Sequence, residues 1–259
     1  MAPDVASFIE NDLHTEIDAS LGFEDEPLQL SASTLAALMD FQNEQEEREQ
    51  KFAELHKQAE EDFDKLCDGS KDIQDFEEDW QLSQFWYNKA TATKLARELL
   101  AGADKDTVIA IVSAPSVYAA MKALPEEEIV TQNVFLLEYD ERFGVLAGKK
   151  RFVLYDFNKP LVLPSEIKNV CDRVLVDPPF LSEECQTKAA MTARLLLKKP
   201  TARNDKYKAI VCTGERMANV IAKVYPDTKV TDFHPEHEKG LSNEFRCYAT
   251  YEGAGWKFV

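Results

Sequence analysis

The chain has 259 residues and a formal net charge of −17, which is long enough for one large domain with an appendage. The charge is lopsided: residues 1–80 hold 24 Asp+Glu against 5 Lys+Arg, a net −19, whereas residues 81–259 hold 23 against 25, a net +2. Such acidity disfavours a phosphate backbone, which needs Lys and Arg, and no stretch approaches the roughly 20 apolar residues of a membrane span.

The N-terminus, Met-Ala-Pro-Asp-Val-Ala, lacks the basic start and apolar core of a signal peptide. Residues 1–30 alternate acids with single hydrophobes and read as a loose tail. Ser33 can cap a helix that starts at Thr34, and no Gly or Pro interrupts the chain through Leu66. Phe52, Leu55, Ala59, Phe63 and Leu66 share one helical stripe, but Asn43 to Gln50 is almost wholly polar. The pattern predicts one long helix or two with a weak middle, ended by Asp68-Gly69-Ser70. Composition changes near Trp80, so the expected division is an acidic segment over 1–75 and a folded domain over 76–259. The acidic segment suits either a basic protein partner or simple solvation.

The folded domain should open with a helix near Asn88, whose side chain can accept an N–H bond from the first turn. Ala92, Leu95, Ala96 and Leu99 give its buried face, and Gly102 supplies the stop. A regular alternation follows. Thr107–Ser113 reads as a strand and leads to a helix through about Leu124. Val134–Glu138 and Arg151–Tyr155 are the next strands, with a short helix between or after them, and Val174–Val176 is the fourth. Ser182 can cap the helix after it, with Glu183 and Glu184 in the first turn and Ala190, Ala193 and Leu197 on the inner face. Ala209–Cys212 is the fifth strand, followed by a helix from about Glu215 to Val224, then strands Lys229–Phe233 and Phe245–Tyr251. Strands alternating with helices imply a mostly parallel sheet covered on both faces, and a final hairpin-like pair would set one strand antiparallel.

Ligands of open α/β sheets sit beyond the carboxyl ends of the strands, near the switch point. Four such ends carry chemistry here. Ser113-Ala114-Pro115-Ser116 joins a strand to a helix, where backbone N–H groups can bind an anionic group. Glu138-Tyr139-Asp140 ends the next strand, and Glu138 or Asp140 can accept from ribose hydroxyls. In Asp156-Phe157-Asn158, Asp156 can accept from an adenine amino group while Phe157 packs on the ring. Asp177-Pro178-Pro179-Phe180 is the most informative. An apolar strand stops abruptly, because proline cannot donate to a ladder. The rigid turn aims the carbonyls of Asp177 and Pro178, and Phe180 offers a π face, an arrangement suited to an amino group. The first, third and fourth also fit an ordinary turn, and the second an ordinary surface acid. Together they describe an adenosine with a carboxylate-bearing arm beside an amine, which is S-adenosylmethionine and a nucleophilic nitrogen. Just upstream, Phe85, Trp86 and Tyr87 are three consecutive aromatics that cannot all face one side of a helix. They read as a cofactor flap or as core.

Other constellations are weaker. Pro235 breaks the helix that would align His234 with His237, so no metal is expected. Neither Gly-x-Ser-x-Gly nor a phosphate-binding loop occurs, and Thr213-Gly214-Glu215-Arg216 reads as a turn. The cysteines at 67, 171, 185, 212 and 247 form no Cys-x-x-Cys pair, which suggests free thiols and a cytosolic protein.

Taken in order, Gln81-Leu82-Ser83-Gln84-Phe85-Trp86-Tyr87, Ser113-Ala114-Pro115-Ser116, Asp177-Pro178-Pro179-Phe180, Thr213-Gly214 and Gly240-Leu241-Ser242-Asn243-Glu244-Phe245 resemble the eukaryotic lysine methyltransferases of translation elongation factor 1-alpha. The resemblance covers about residues 76–252. It implies a seven-strand class I methyltransferase fold, S-adenosylmethionine as donor and a protein lysine as acceptor. The Asp-Pro-Pro-aromatic turn also resembles that of adenine amino-group methyltransferases, which leaves DNA or RNA as an alternative substrate. The near-neutral domain and acidic N-terminus argue against nucleic acid. A binding module working through its acidic helix is a third reading.

Overall fold

The structure, a computed structural model, describes residues 85–199, 207–240 and 243–259. The tail over 1–30, the capped helix from Ser33 to Leu66, the break at Asp68–Ser70, the segment Gln81–Gln84, and Leu241 and Ser242 lie outside the described residues.

Helix α1 spans Lys89–Leu100, and the Asn88 Oδ1 caps it by accepting from the Thr91 amide at 2.8 Å. Ala92, Leu95, Ala96 and Leu99 are buried, at the helical spacing the sequence shows. Gly102 turns the chain away with φ 70. Strand β1 (Ile109–Val112) passes into α2 (Pro115–Lys122), with Pro115 in the first turn, where its fixed φ fits and no amide is needed. Then come β2 (Val134–Glu138), the short α3 (Gly144–Ala147), β3 (Phe152–Leu154) and β4 (Arg173–Val176). Ser182 caps α4 (Glu183–Leu196) by accepting from the Cys185 amide at 3.2 Å. β5 (Lys208–Gly214), α5 (Ala218–Val224), β6 (Lys229–Val230) and β7 (Phe245–Ala249) complete the fold.

The sheet has seven strands in the order β3-β2-β1-β4-β5-β7-β6. The first five in that order run parallel, and β7 is antiparallel to both β5 and β6. Side chains alternate between two cores, as the strand period requires. Ile109 and Ile111 pack with Leu95, Leu99 and Val117 beneath α1 and α2. Ala110 and Val112 pack with Ala190, Ala193 and Ile221 beneath α4 and α5. This is the expected mostly parallel α/β sheet covered on both faces.

Two features differ from the sequence reading. The sixth strand stops at Val230 instead of Phe233, because the C-terminal segment takes over its bonds. Asp232 N–H donates to the Lys257 carbonyl at 2.9 Å, and the Lys257 amide donates to Asp232 Oδ1 at 2.9 Å. The second feature is a buried cation inside β4. The Arg173 guanidinium donates to the carbonyls of Leu99 and Ala101, the latter at 3.0 Å, so the carbonyl-rich end of α1 is closed from the neighbouring strand.

Candidate active site

The parallel register brings four strand ends to one edge of the sheet. Val112 at the end of β1 lies opposite Leu137 on one side and Val176 on the other. Strands β2 and β3 follow β1 in one direction, and β4 and β5 lie in the other, so β1 and β4 flank the switch point.

Beyond β1, Ser113 has φ 56, a left-handed conformation uncommon outside glycine. Its amide donates to the Leu137 carbonyl at 2.9 Å, and Ala114 and Pro115 then lead into α2. The turn is thus sharp and held by the neighbouring strand end. Such local strain is often concentrated at ligand sites.

Glu138 closes β2. It is buried, and its Oε2 has no hydrogen-bond partner among the described residues. Burial, with help from the Asp140 and Asp177 charges, pushes its carboxyl up to about 8, against the pull of the Asp140 and Tyr139 amides. A buried oxygen acceptor left open at the end of β2 fits a ribose hydroxyl donor. Asp140, equally buried, is differently employed. Its Oδ1 accepts from the Arg142 amide at 3.0 Å, and both oxygens hold the Arg142 guanidinium. The sequence favours Glu138 as the one nearer the strand end, and the geometry separates the two acids in the same sense: Asp140 caps the turn at Glu141–Phe143, and Glu138 keeps a free acceptor atom.

Asp156 and Phe157 follow the end of β3, just beyond Tyr155, whose amide donates to the Glu138 carbonyl at 2.9 Å. Asp156 Oδ1 accepts from the Asn158 amide at 2.8 Å and closes a local turn. The Phe157 ring lies 5.5 Å from the Phe180 ring, with Lys188 Nζ 5.7 Å from it on α4. Phe157 thus belongs with the Asp-Pro-Pro-Phe turn in space.

That turn leaves β4 with the Asp177 amide donating to the Val112 carbonyl at 3.0 Å. Pro178 is buried and Phe180 is 39% exposed, so the turn is anchored at its base and presents an aromatic ring at its tip. Burial pushes the Asp177 carboxyl up to about 7, with the neighbouring Tyr87 hydroxyl opposing the rise.

The aromatic run Phe85–Tyr87 is extended, not helical. Tyr87 bridges to His237, the Asn88 amide donates to the Glu236 carbonyl at 2.9 Å, and the Glu238 amide donates to the Trp86 carbonyl at 2.8 Å. Extended backbone sends neighbours to opposite sides. Trp86 packs edge-on against Phe143 at 5.5 Å. Tyr87 stacks on His237 at 4.7 Å, and its buried hydroxyl faces Asp177 and Cys212 without a closed hydrogen bond. Burial first, then the Asp177 charge, holds that phenol well above its ordinary value. Tyr87 thereby stands beside the acceptor turn. His237 is consumed in this packing, also meeting Phe245 at 4.5 Å, and among the described residues no group of three or more His, Cys, Asp or Glu could hold a metal ion.

One residue of this edge escaped the sequence reading. Gln186 on α4 is fully buried and touches both the Phe180 carbonyl and Thr213. The available signal was a polar side chain at four and seven residues before Ala190 and Ala193, on an otherwise apolar stripe.

A family model described as "Probable N6-adenine methyltransferase" matches residues 78–253. The chain is 52% identical over 239 residues to "Protein-lysine N-methyltransferase EFM5" of Saccharomyces cerevisiae, covering 89% of this chain and 94% of that protein. It is 42% identical over 229 residues to "EEF1A lysine methyltransferase 1" of Gallus gallus, covering 88% and 96%. Against the Homo sapiens protein of the same name the identity is 39% over 230 residues, covering 88% and 94%.

Proposed function

The chain belongs to the protein-lysine N-methyltransferase family that includes EFM5 and the EEF1A lysine methyltransferases, and from that premise we propose that its strand-end edge methylates a lysine of EEF1A with S-adenosylmethionine as donor. The observation that supports this most is the placement of two acids at strand ends, the buried Glu138 with its open Oε2 at the end of β2 and the half-buried Asp177, beside the Tyr87 hydroxyl, at the end of β4. They flank β1 on opposite sides, one suited to a nucleoside and one to an amine.

In this reading Glu138 holds the ribose through its open Oε2, and the turn at Ser113, Ala114 and Pro115 offers the start of α2 to the carboxylate arm. S-adenosylmethionine supplies an electrophilic methyl group on a sulfonium. Lysine has a reference pKa of about 10.4 and enters as an ammonium. Asp177 accepts its N–H bonds, and with a pKa about 7 it can take the proton and leave a neutral amine. The Pro178 carbonyl fixes the amine's direction. Phe180 and Phe157 form an aromatic wall that excludes water and favours the cation by its π face. Tyr87 stands on the other side, with its hydroxyl available to Asp177. Alignment of the two reactants is the main effect such a site can supply, worth roughly 7–11 kcal/mol when complete.

A second reading, transfer to an adenine amine of nucleic acid, is favoured by the description of the matching family model. The same acceptor turn serves either nitrogen. Charge weighs against it, since residues 81–259 carry only +2 and residues 1–80 carry −19. The reading further assigns residues 1–75 to an acidic segment that assists capture of a basic protein, residues 76–259 to catalysis, and the cytoplasm as the place of work. Among the described residues no helix is long and apolar enough to cross a membrane. Methylation of purified EEF1A, with Asp177→Asn as control, tests the assignment: transfer by the wild type and none by the variant is expected.

A further inference from the structure

The acceptor turn is pinned from two strands. At its base, Asp177 is tied to β1 through the Val112 carbonyl. At its tip, the Gln186 Nε2 donates to the Phe180 carbonyl at 3.1 Å and to the Thr213 Oγ1 at 3.0 Å. Thr213 is fully buried in β5, and Gln186 is fully buried in α4. One residue on, Leu181 packs over Gly214, where a Cβ would stand 2.8 Å from Leu181 Cδ1. The turn therefore meets β5 at two consecutive positions, and at Gly214 an added Cβ would require the Leu181 side chain to move.

This contact has an energetic cost. The second Gln186 polar atom, Oε1, is buried without a partner among the described residues, and an unsatisfied buried acceptor is destabilising. Ala190 and Ala193 on the same stripe show that an apolar residue suits this face. The Gln186 amide nitrogen instead bonds both the turn and β5 and so ties one to the other.

We propose that Gln186 and Thr213 are positioning residues that set the orientation of the Asp177–Phe180 turn, and through it the alignment of the acceptor amine. The proposal rests on the acceptor role of that turn given above. Neither residue touches the reacting atoms. Their action is to fix the Phe180 backbone from behind while the Phe180 ring stays exposed to substrate.

Two readouts test it on the full-length protein. The first is steady-state methylation of EEF1A at saturating S-adenosylmethionine by Thr213→Val, which keeps shape and removes the hydroxyl, Thr213→Ser, which restores it, and Gln186→Met. Thr213→Val and Gln186→Met should each lower kcat by roughly 10- to 100-fold, the scale of a small misplacement of reactants. S-adenosylhomocysteine affinity should stay within about twofold, and the double variant should be no worse than either single one. Thr213→Ser should recover most of the rate. A rate loss matched by equal losses of melting temperature and cofactor affinity would reduce the pair to ordinary core. The second readout is amide hydrogen exchange at Phe180 and Leu181, which requires no turnover. It should quicken in Thr213→Val and Gln186→Met and stay normal in Thr213→Ser. Unchanged exchange overturns the clamp whatever the substrate, whereas a wild type that fails to methylate EEF1A overturns the substrate assignment and leaves exchange to decide the clamp.

Discussion

Burial raises the Asp177 carboxyl from 3.8 to about 7, which has a thermodynamic sign that can be measured. An acid whose pKa is raised by folding penalises the ionised fold. The penalty is absent below the unfolded value, grows as pH rises towards the folded value and is constant above it. Asp177→Asn removes it. The variant should melt above the wild type at about pH 8, and the gap should close as pH falls through about 7 towards 4. The same variant should lose roughly 10²- to 10⁴-fold in turnover, the usual worth of a positioned proton acceptor. Thermal scans across that range and single-turnover assays check both. Glu138 and Asp140 separate in a similar way. Glu138→Gln should weaken S-adenosylhomocysteine binding by about 1.5–3 kcal/mol in calorimetry while leaving the fold intact. Asp140→Asn should act mainly on melting temperature, since Asp140 holds Arg142 and the turn after it. The acids themselves were legible in the sequence, because each ends an apolar strand. Position at the strand end favoured Glu138 over Asp140, but the engagement of Asp140 was not legible, since it depends on where Arg142 turns. The position of Tyr87 beside Asp177 was equally hidden, because it depends on pairing with His237, 150 residues later in the chain.

Among elements, the local signals held where one residue decides the outcome. Asn88 and Ser182 cap α1 and α4 as their side chains suggest, and Gly102 ends α1. Strand ends were less legible wherever a distant segment competes. Thr231 to Phe233 look like strand, yet Asp232 is drawn to Lys257 and the ladder stops at Val230. The closure of α1 by Arg173 is also invisible in a sequence, where an arginine inside an apolar strand reads as an exception. It makes a specific prediction. Arg173→Met leaves the Leu99 carbonyl without this donor, while Ala101 keeps the Lys208 ammonium, and should lower stability by about 1–3 kcal/mol, the cost of an unsatisfied buried acceptor. Chemical denaturation measures it, and a loss below about 1 kcal/mol would show that water replaces the guanidinium there.

At the scale of the whole molecule, the alternating pattern specified a mostly parallel sheet and the structure adds its order, with β7 inserted antiparallel between β5 and β6. Order follows from which faces the connecting helices cover, which a periodicity does not encode. Charge is the other global property. The acidic residues 1–80 add to a near-neutral remainder a negative charge whose field attracts cations and is screened over about 8 Å at physiological salt. Deleting residues 1–70 should leave cofactor binding unchanged and slow methylation of the protein substrate, most at low salt. An unchanged low-salt rate would remove the steering role.

The substrate class is the central claim, and one experiment addresses it directly. The full-length protein is incubated with radiolabelled S-adenosylmethionine in a mixture of purified EEF1A, DNA and RNA, and the label is traced by protease and nuclease digestion followed by identification of the methylated product. The account predicts label in EEF1A as methyl-lysine, released by protease, resistant to nuclease and absent with Asp177→Asn. Label recovered as methylated adenine, with EEF1A unlabelled, would contradict it.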